Sequence, residues 1–149
     1  MTQEFTHIDG GCHCGVIRFV LKWPEVVPNI GVRQCSCTFC QKHAGAWTSH
    51  QDAELTIELS DESLVSRYRF GTKTADFYVC SACGVVPFVL SEIGGINYAV
   101  VNVNTFVSAD KIHYSCSSTD FDGEGTSSRL DRRARNWISN VQFSVVVTG

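Results

Sequence analysis

The chain has 149 residues, 44% of them hydrophobic, with 12 lysines and arginines against 15 aspartates and glutamates and a net charge of −3. That length suits one domain, expected over residues 1–149, with a core large enough that metal sites supplement it. The acidic balance argues against a general polyanion binder, so no nucleic-acid partner is expected, and no apolar stretch approaches the ~20 residues of a membrane span.

The amino terminus, Met1 to His7, has neither the basic stretch nor the apolar run of a secretory signal, so a reducing, cytoplasmic setting is expected. Downstream the apolar runs are short and rich in β-branched and aromatic residues, which predicts an all-β fold. Val16 to Trp23 alternates in part and stops at Pro24. Further strands are predicted at Ala46–His50, Glu54–Leu59, Leu64–Phe70, Thr74–Val79, Val86–Leu90 and Ile96–Val103, with turns at Gly10–Gly11, Gly71 and Gly94–Gly95. Near the end, Leu130, Ala134, Trp137, Ile138 and Val141 recur at helical spacing after Ser127–Ser128, which predicts a short capped carboxy-terminal helix. Arg129, Arg132, Arg133 and Arg135 read as its solvated side, the alternative being an anion-binding or partner-facing patch. Val145–Val147 could support a homodimer or complete a sheet.

Seven of the eight cysteines fall into three groups, Cys12-x-Cys14, Cys35-x-Cys37-x2-Cys40 and Cys80-x2-Cys83. Without a secretory signal, a disulfide framework is the weaker explanation, and pairs this close in sequence chelate metals better than they bridge. A closed structural zinc takes four thiolates and a catalytic zinc three protein ligands with one open position, so seven cysteines divide into two zinc sites. In an extended strand Cys12 and Cys14 would share a face, and Cys80 to Gly84 reads as a tight knuckle. Cys116 stands apart and reads as a buried small hydrophobe.

The middle group offers three sulfurs from six residues and no evident fourth ligand, which leaves a position for water or substrate. Three thiolates make a zinc a modest Lewis acid but a good host for an incoming thiolate, which favours sulfur chemistry over hydrolysis. Alternatively His43 or His50 completes a second structural site, or acts as a general base.

With these residues assembled, the chain resembles the family of glutathione-dependent formaldehyde-activating enzymes, which includes the centromere protein V group. The matching text is Gly10–Gly15 with Arg18, then Cys35–Lys42 with Gly45, then Cys80–Gly84, and the similarity spans about residues 8–106. The tail from Asp120 onward, unassigned over residues 120–149, matches no family pattern. The resemblance implies a β-tent of antiparallel sheets stapled by zinc, with Cys12, Cys14, Cys80 and Cys83 on a structural zinc and Cys35, Cys37 and Cys40 on a catalytic one. It also implies making or breaking a carbon–sulfur bond in a glutathione adduct.

Two functional classes are therefore carried forward. In the first, the protein is a zinc-dependent carbon–sulfur lyase, or works in reverse, with a small-thiol adduct and glutathione as possible co-substrate. His43, His50 and Tyr98 are then acid–base candidates, Arg33, Lys42, Arg67, Arg69 and Lys73 could receive carboxylates, and Phe39 and Trp47 could wall the pocket. A member specialised for a non-glutathione intermediate would carry the same ligands. In the second, both zincs are structural and the domain is a protein-binding module without catalysis.

Overall fold

A computed structural model describes residues 4–27, 29–35, 37–71, 73–107, 113–119 and 124–145, with the backbone alone at positions 35, 113, 114, 118, 119 and 145. The chain opens with a hairpin: β1 (Phe5–Gly11) and β2 (Ile17–Pro24) pair antiparallel, from Phe5 opposite Pro24 to Gly11 opposite Arg18. β2 buries Ile17, Phe19, Leu21 and Trp23, the period-two pattern of a strand with one face in a core. Gly10 and Gly11 lie within β1, where a turn was expected. A β-carbon on Gly10 would meet the Phe19 ring at 2.2 Å, so the glycine leaves room for that ring.

Two sheets account for the strands described. One is ordered β1-β2-β5-β11, with β5 at Glu54–Leu59 and β11 at Asn140–Val145. The other is ordered β10-β3-β4-β9-β8-β7-β6, comprising β3 (Asn29–Cys35), β4 (Ala46–Thr48), β6 (Val65–Tyr68), β7 (Asp76–Cys80), β8 (Phe88–Ile93), β9 (Ile96–Asn102) and β10 (His113–Thr119). Their pairing is antiparallel, as expected, except at two edges, where β10 runs parallel to β3 and β11 parallel to β5. β8 and β9 turn through Gly94 and Gly95 at φ 60° and 83°, the left-handed pair a two-residue hairpin requires.

Alternation along β8 and β9 explains how the larger sheet is covered. Phe88, Leu90, Ala99 and Val101 face the core shared with the smaller sheet, among Ile17, Leu21, Leu55 and Ile57. Val89 and Val100, one residue out of phase, join a second cluster on the opposite face with Cys40, Trp47 and Trp137. Two helices supply that cover: α1 (Thr38–His43) and α2 (Thr126–Asn136). Strands buried on both faces read as continuous apolar runs, as Phe88–Leu90 and Ala99–Val101 do.

The tail departs from its sequence pattern. α2 ends at Asn136 because Trp137 takes an extended conformation (φ −80°, ψ 161°), and its N-cap is Gly125 without a side-chain bond, so Ser127 and Ser128 lie inside the first turn. Ile138 then exchanges two backbone hydrogen bonds with Ala99 (2.9 and 3.0 Å) before the chain joins the smaller sheet as β11. The helical period that reaches Val141 thus combines two helix positions, Leu130 and Ala134, with three residues beyond the helix, Trp137, Ile138 and Val141, that pack on the two apolar clusters. Val145 completes the sheet edge, and Val146 and Val147 lie outside the described residues. Among the described residues no helix is long and apolar enough to cross a membrane.

Candidate functional site

The first constellation is made by two turns. Cys12 and Cys14 lie in the loop that closes the β1–β2 hairpin, where an extended strand was expected, and Gly15 (φ 88°) lets that loop fold back. Opposite them, Cys80 ends β7 and a knuckle follows: Gly84 N–H donates to the Cys80 carbonyl at 2.7 Å, with Gly84 at φ 81°. The sulfurs of Cys12, Cys14, Cys80 and Cys83 converge within 4.8 Å of one another, with Cys12 to Cys14 at 3.7 Å and Cys14 to Cys80 at 3.5 Å. Tetrahedral zinc with ~2.3 Å bonds to sulfur separates its thiolates by about 3.8 Å, so this cluster fits a zinc ion. Ile17 N–H donates to Cys12 Sγ at 3.2 Å, a contact that orients a ligand sulfur.

The thiols also respond to each other. Burial raises Cys83, but amide donation from Val85 and contacts with Cys14 and Cys80 bring it down to about 6. For Cys14, the Val16 amide lowers its pKa, yet hydrogen bonding to Cys80, with burial and its other thiol neighbours, pushes it up to about 11. Sulfurs in mutual contact are what a metal-ready cluster looks like, and metal binding needs the thiolate form of its ligands.

The second constellation is built around α1. Cys37 is its N-cap, and its Sγ accepts from the Cys40 amide at 3.3 Å, as a serine or aspartate cap would. Cys40 is buried on the inner side of the helix, where Trp47 Nε1–H donates to its Sγ at 3.4 Å. Gly45 permits this approach, since a β-carbon there would lie 2.8 Å from the same indole nitrogen. Cys35 ends β3, two residues before the N-cap, and its side chain lies outside the described residues. The segment therefore presents Cys37 and Cys40 together, on a helix that the cysteine spacing had not suggested.

The model of the glutathione-dependent formaldehyde-activating enzyme family matches residues 7–120, which include all seven grouped cysteines. This chain belongs to that family. Among solved structures, a Rhodobacter sphaeroides protein known from its crystal structure is similar over 72% of this chain and 99% of its own, at 20% identity and a TM-score of 0.49.

Within this family member, the remaining sequence candidates are placed unequally. Phe39 packs against Tyr68, Phe70, Phe77 and His43, with centroids 4.4 to 5.3 Å apart, and so forms an aromatic wall beside Cys40. Tyr68 and Phe70, two apart at the end of the predicted strand Leu64–Phe70, are the sequence signal for this wall. Tyr98 packs into the cluster of Cys40, Trp47 and Trp137. His43 and Lys42 are exposed in the last turn of α1. His50 is turned elsewhere: its ring lies edge-on to Trp23 at 5.7 Å and its Nδ1 accepts from the Asp52 amide at 3.1 Å. Arg67 covers the Tyr78 ring, Arg69 is paired with Asp76, and Lys73 is exposed.

Two readings are corrected. Cys116 is exposed on the edge strand β10, not buried, because that strand has a neighbour on one side only. The α2 arginines are not simply a solvated face: Arg133 is buried against β8, Arg132 bonds Glu124 at 3.1 Å, and Arg135 is exposed. Arg33, on β3, donates to Ser49 Oγ at 2.8 Å, and Ser49 Oγ donates to the Asn136 carbonyl at the end of α2. Sequence spacing could not find this grouping, since it joins β3, the residue that follows β4 and the end of α2 across about 100 residues.

Proposed function

We propose that this protein makes or breaks the carbon–sulfur bond of a small-thiol adduct, with glutathione as the thiol, and that Cys35, Cys37 and Cys40 form its reactive centre. The observation that carries this reading is the presentation of Cys37 and Cys40 on one short helix beside an aromatic wall, within the region that matches the family. A zinc held by the three cysteines would supply an open position that stabilises a substrate thiolate. Cys12, Cys14, Cys80 and Cys83 would hold a second, structural zinc, tying the first hairpin to the β7 knuckle.

The chain's own groups have distinct parts in this scheme. The Cys40 amide and the Trp47 indole N–H donate to Cys37 and Cys40, which favours the thiolate form of each. Phe39, with Tyr68, Phe70 and Phe77, excludes water from one side and offers an apolar surface to the carbon portion of an adduct. His43, against Phe39, and Tyr98, packed on the cluster that contains Cys40, would pass a proton to solvent. Exposed Lys42 and half-buried Arg33 would steer a carboxylate-bearing substrate.

The test is turnover of the adduct that glutathione forms with formaldehyde, followed by exchange NMR, beside a panel of other thiol adducts and a count of zinc per chain. Turnover of one adduct, lost in Cys37→Ala with the fold retained, is the expected result. Two bound zincs with no turnover of any adduct would overturn the enzyme reading in favour of a zinc-stabilised binding module.

A further inference from the structure

Arg133 is held in a way that pinning a helix does not require. It is 7% exposed, its Nη1 donates to Thr74 Oγ1 at 2.8 Å and Ser91 Oγ at 3.2 Å, and its guanidinium lies 4.9 Å from the Trp137 ring centroid. Its Nε is buried and has no hydrogen-bond partner among the described residues. No carboxylate among them forms an ion pair with Arg133 or with Arg33. Arg33 is likewise satisfied by a hydroxyl, that of Ser49, which in turn bonds the last residue of α2.

Buried guanidinium groups are ordinarily paired with acids, because an uncompensated charge in a dry site is costly. Here burial depresses both arginines, Arg133 to about 10; the charge of Arg132 adds to the effect at Arg33, and those of Arg129 and Arg132 add to it at Arg133, where Glu124 opposes it. Neutral hydroxyls satisfy some donors, and Glu124 offsets part of the Arg133 charge from beyond ion-pair distance, which leaves neither guanidinium with a carboxylate of its own among the described residues. Two such cations, Arg133 on the last turns of α2 and half-buried Arg33 tied to the end of that helix through Ser49, have the character of a site whose anion arrives from outside.

The position relates this site to the reactive cysteines. Trp137, under Arg133, shares its apolar cluster with Trp47 and Cys40, and Arg33 stands opposite Trp47 in the β3–β4 register. α2 lies beyond residues 7–120, so Arg133 is outside the region that defines the family. We infer that Arg133 and Arg33 form a seat for a carboxylate of the thiol adduct, by which α2 selects a carboxylate-bearing substrate over neutral thiols. The inference rests on the proposed thiol chemistry for its substrate, though the anion seat can be tested separately.

The experiment measures affinities by tryptophan fluorescence on the full-length protein as purified, using three probes. These are glutathione, S-methylglutathione, which keeps the carboxylates but lacks the thiol, and 2-mercaptoethanol, which has only the thiol. A hydrogen-bonded charge pair changes binding about tenfold or more. Arg133→Gln should therefore weaken glutathione about tenfold and leave 2-mercaptoethanol within about twofold. Arg33→Gln, on a strand and not on α2, should do the same and decides the matter if the first variant does not fold. Equal weakening of both probes, or no change in either, would overturn the seat and leave these arginines as structural pins. If S-methylglutathione binds the wild type as tightly as glutathione and loses the same factor in the variants, the seat stands and the thiol reading falls.

Discussion

Trp47 donates its indole N–H to the Sγ of Cys40 at 3.4 Å, and the contact exists because residue 45 has no side chain to displace the ring. A donor to a thiolate stabilises the charged form in an otherwise apolar cluster, where water cannot substitute for it. Trp47→Phe keeps the aromatic body and removes the donor, so adduct turnover should fall about tenfold with little change in thermal midpoint. Gly45→Ala should cost a similar factor in turnover and in addition about 1–3 kcal/mol of stability, since its β-carbon must move the indole. Steady-state rates together with thermal melts of the two variants separate these effects; unchanged turnover in both would disconnect Trp47 from the chemistry.

The two cysteine groups should fail differently. Cys80 is fully buried, and its sulfur meets that of Cys14 at 3.5 Å across 66 positions of sequence. Cys80→Ala should therefore release metal and lower the melting temperature by well over ~10 °C, because metal affinity here is also folding energy. Cys37→Ala removes an N-cap acceptor and should cost about 1 kcal/mol. Elemental analysis and calorimetry on both variants check the contrast, which would vanish if the two sites were equally structural.

Much of this architecture was legible because its causes are local. Glu54–Leu59 reads as a strand in sequence and is one, and Gly94–Gly95 marks the β8–β9 hairpin. Where causes are not local, the sequence misleads. β10 is polar, His-Tyr-Ser-Cys-Ser-Ser-Thr, and acquires strand structure by pairing along β3, so neither its existence nor the exposure of Cys116 could be read from its own residues. Cys12 and Cys14 looked like same-face strand positions, yet the glycines around them make a turn that serves the same end. The candidate site divides in the same way: the cysteine groups announce themselves, whereas Ser49, Thr74 and Ser91 matter only through arginines brought from other elements.

Cys116 gives a direct chemical check on that exposure. An accessible thiol on an edge strand reacts with a disulfide reagent at a rate set by its thiolate fraction, whereas thiols engaged by a metal react more slowly. In the protein as purified, the first thiol to react with a chromogenic disulfide should be Cys116. Cys116→Ser should abolish that fast phase and shift stability by no more than about 0.5 kcal/mol. A fast phase that persists in the variant would assign the reactivity to one of the grouped cysteines.

The entry into α2 should carry an acid limit. Arg132 donates to both carboxylate oxygens of Glu124, whose side chain is 20% exposed, and this holds the carboxyl below its ordinary range; the charges of Arg132, Arg129 and Arg133 add to that and burial opposes it. A carboxyl depressed in the folded state contributes stability that is fully present above its unfolded pKa, near 4.5, and disappears as the pH falls through the lower folded value. Glu124→Gln should therefore be less stable than the wild type by about 1 kcal/mol at pH 7, a few degrees in melting temperature. The two should converge as the pH drops below about 4. Melting curves from pH 3 to 8 provide the check. A gap that stayed constant down to pH 3 would mean that Glu124 acts through hydrogen bonds that its carboxyl makes in either protonation state, and not through its charge.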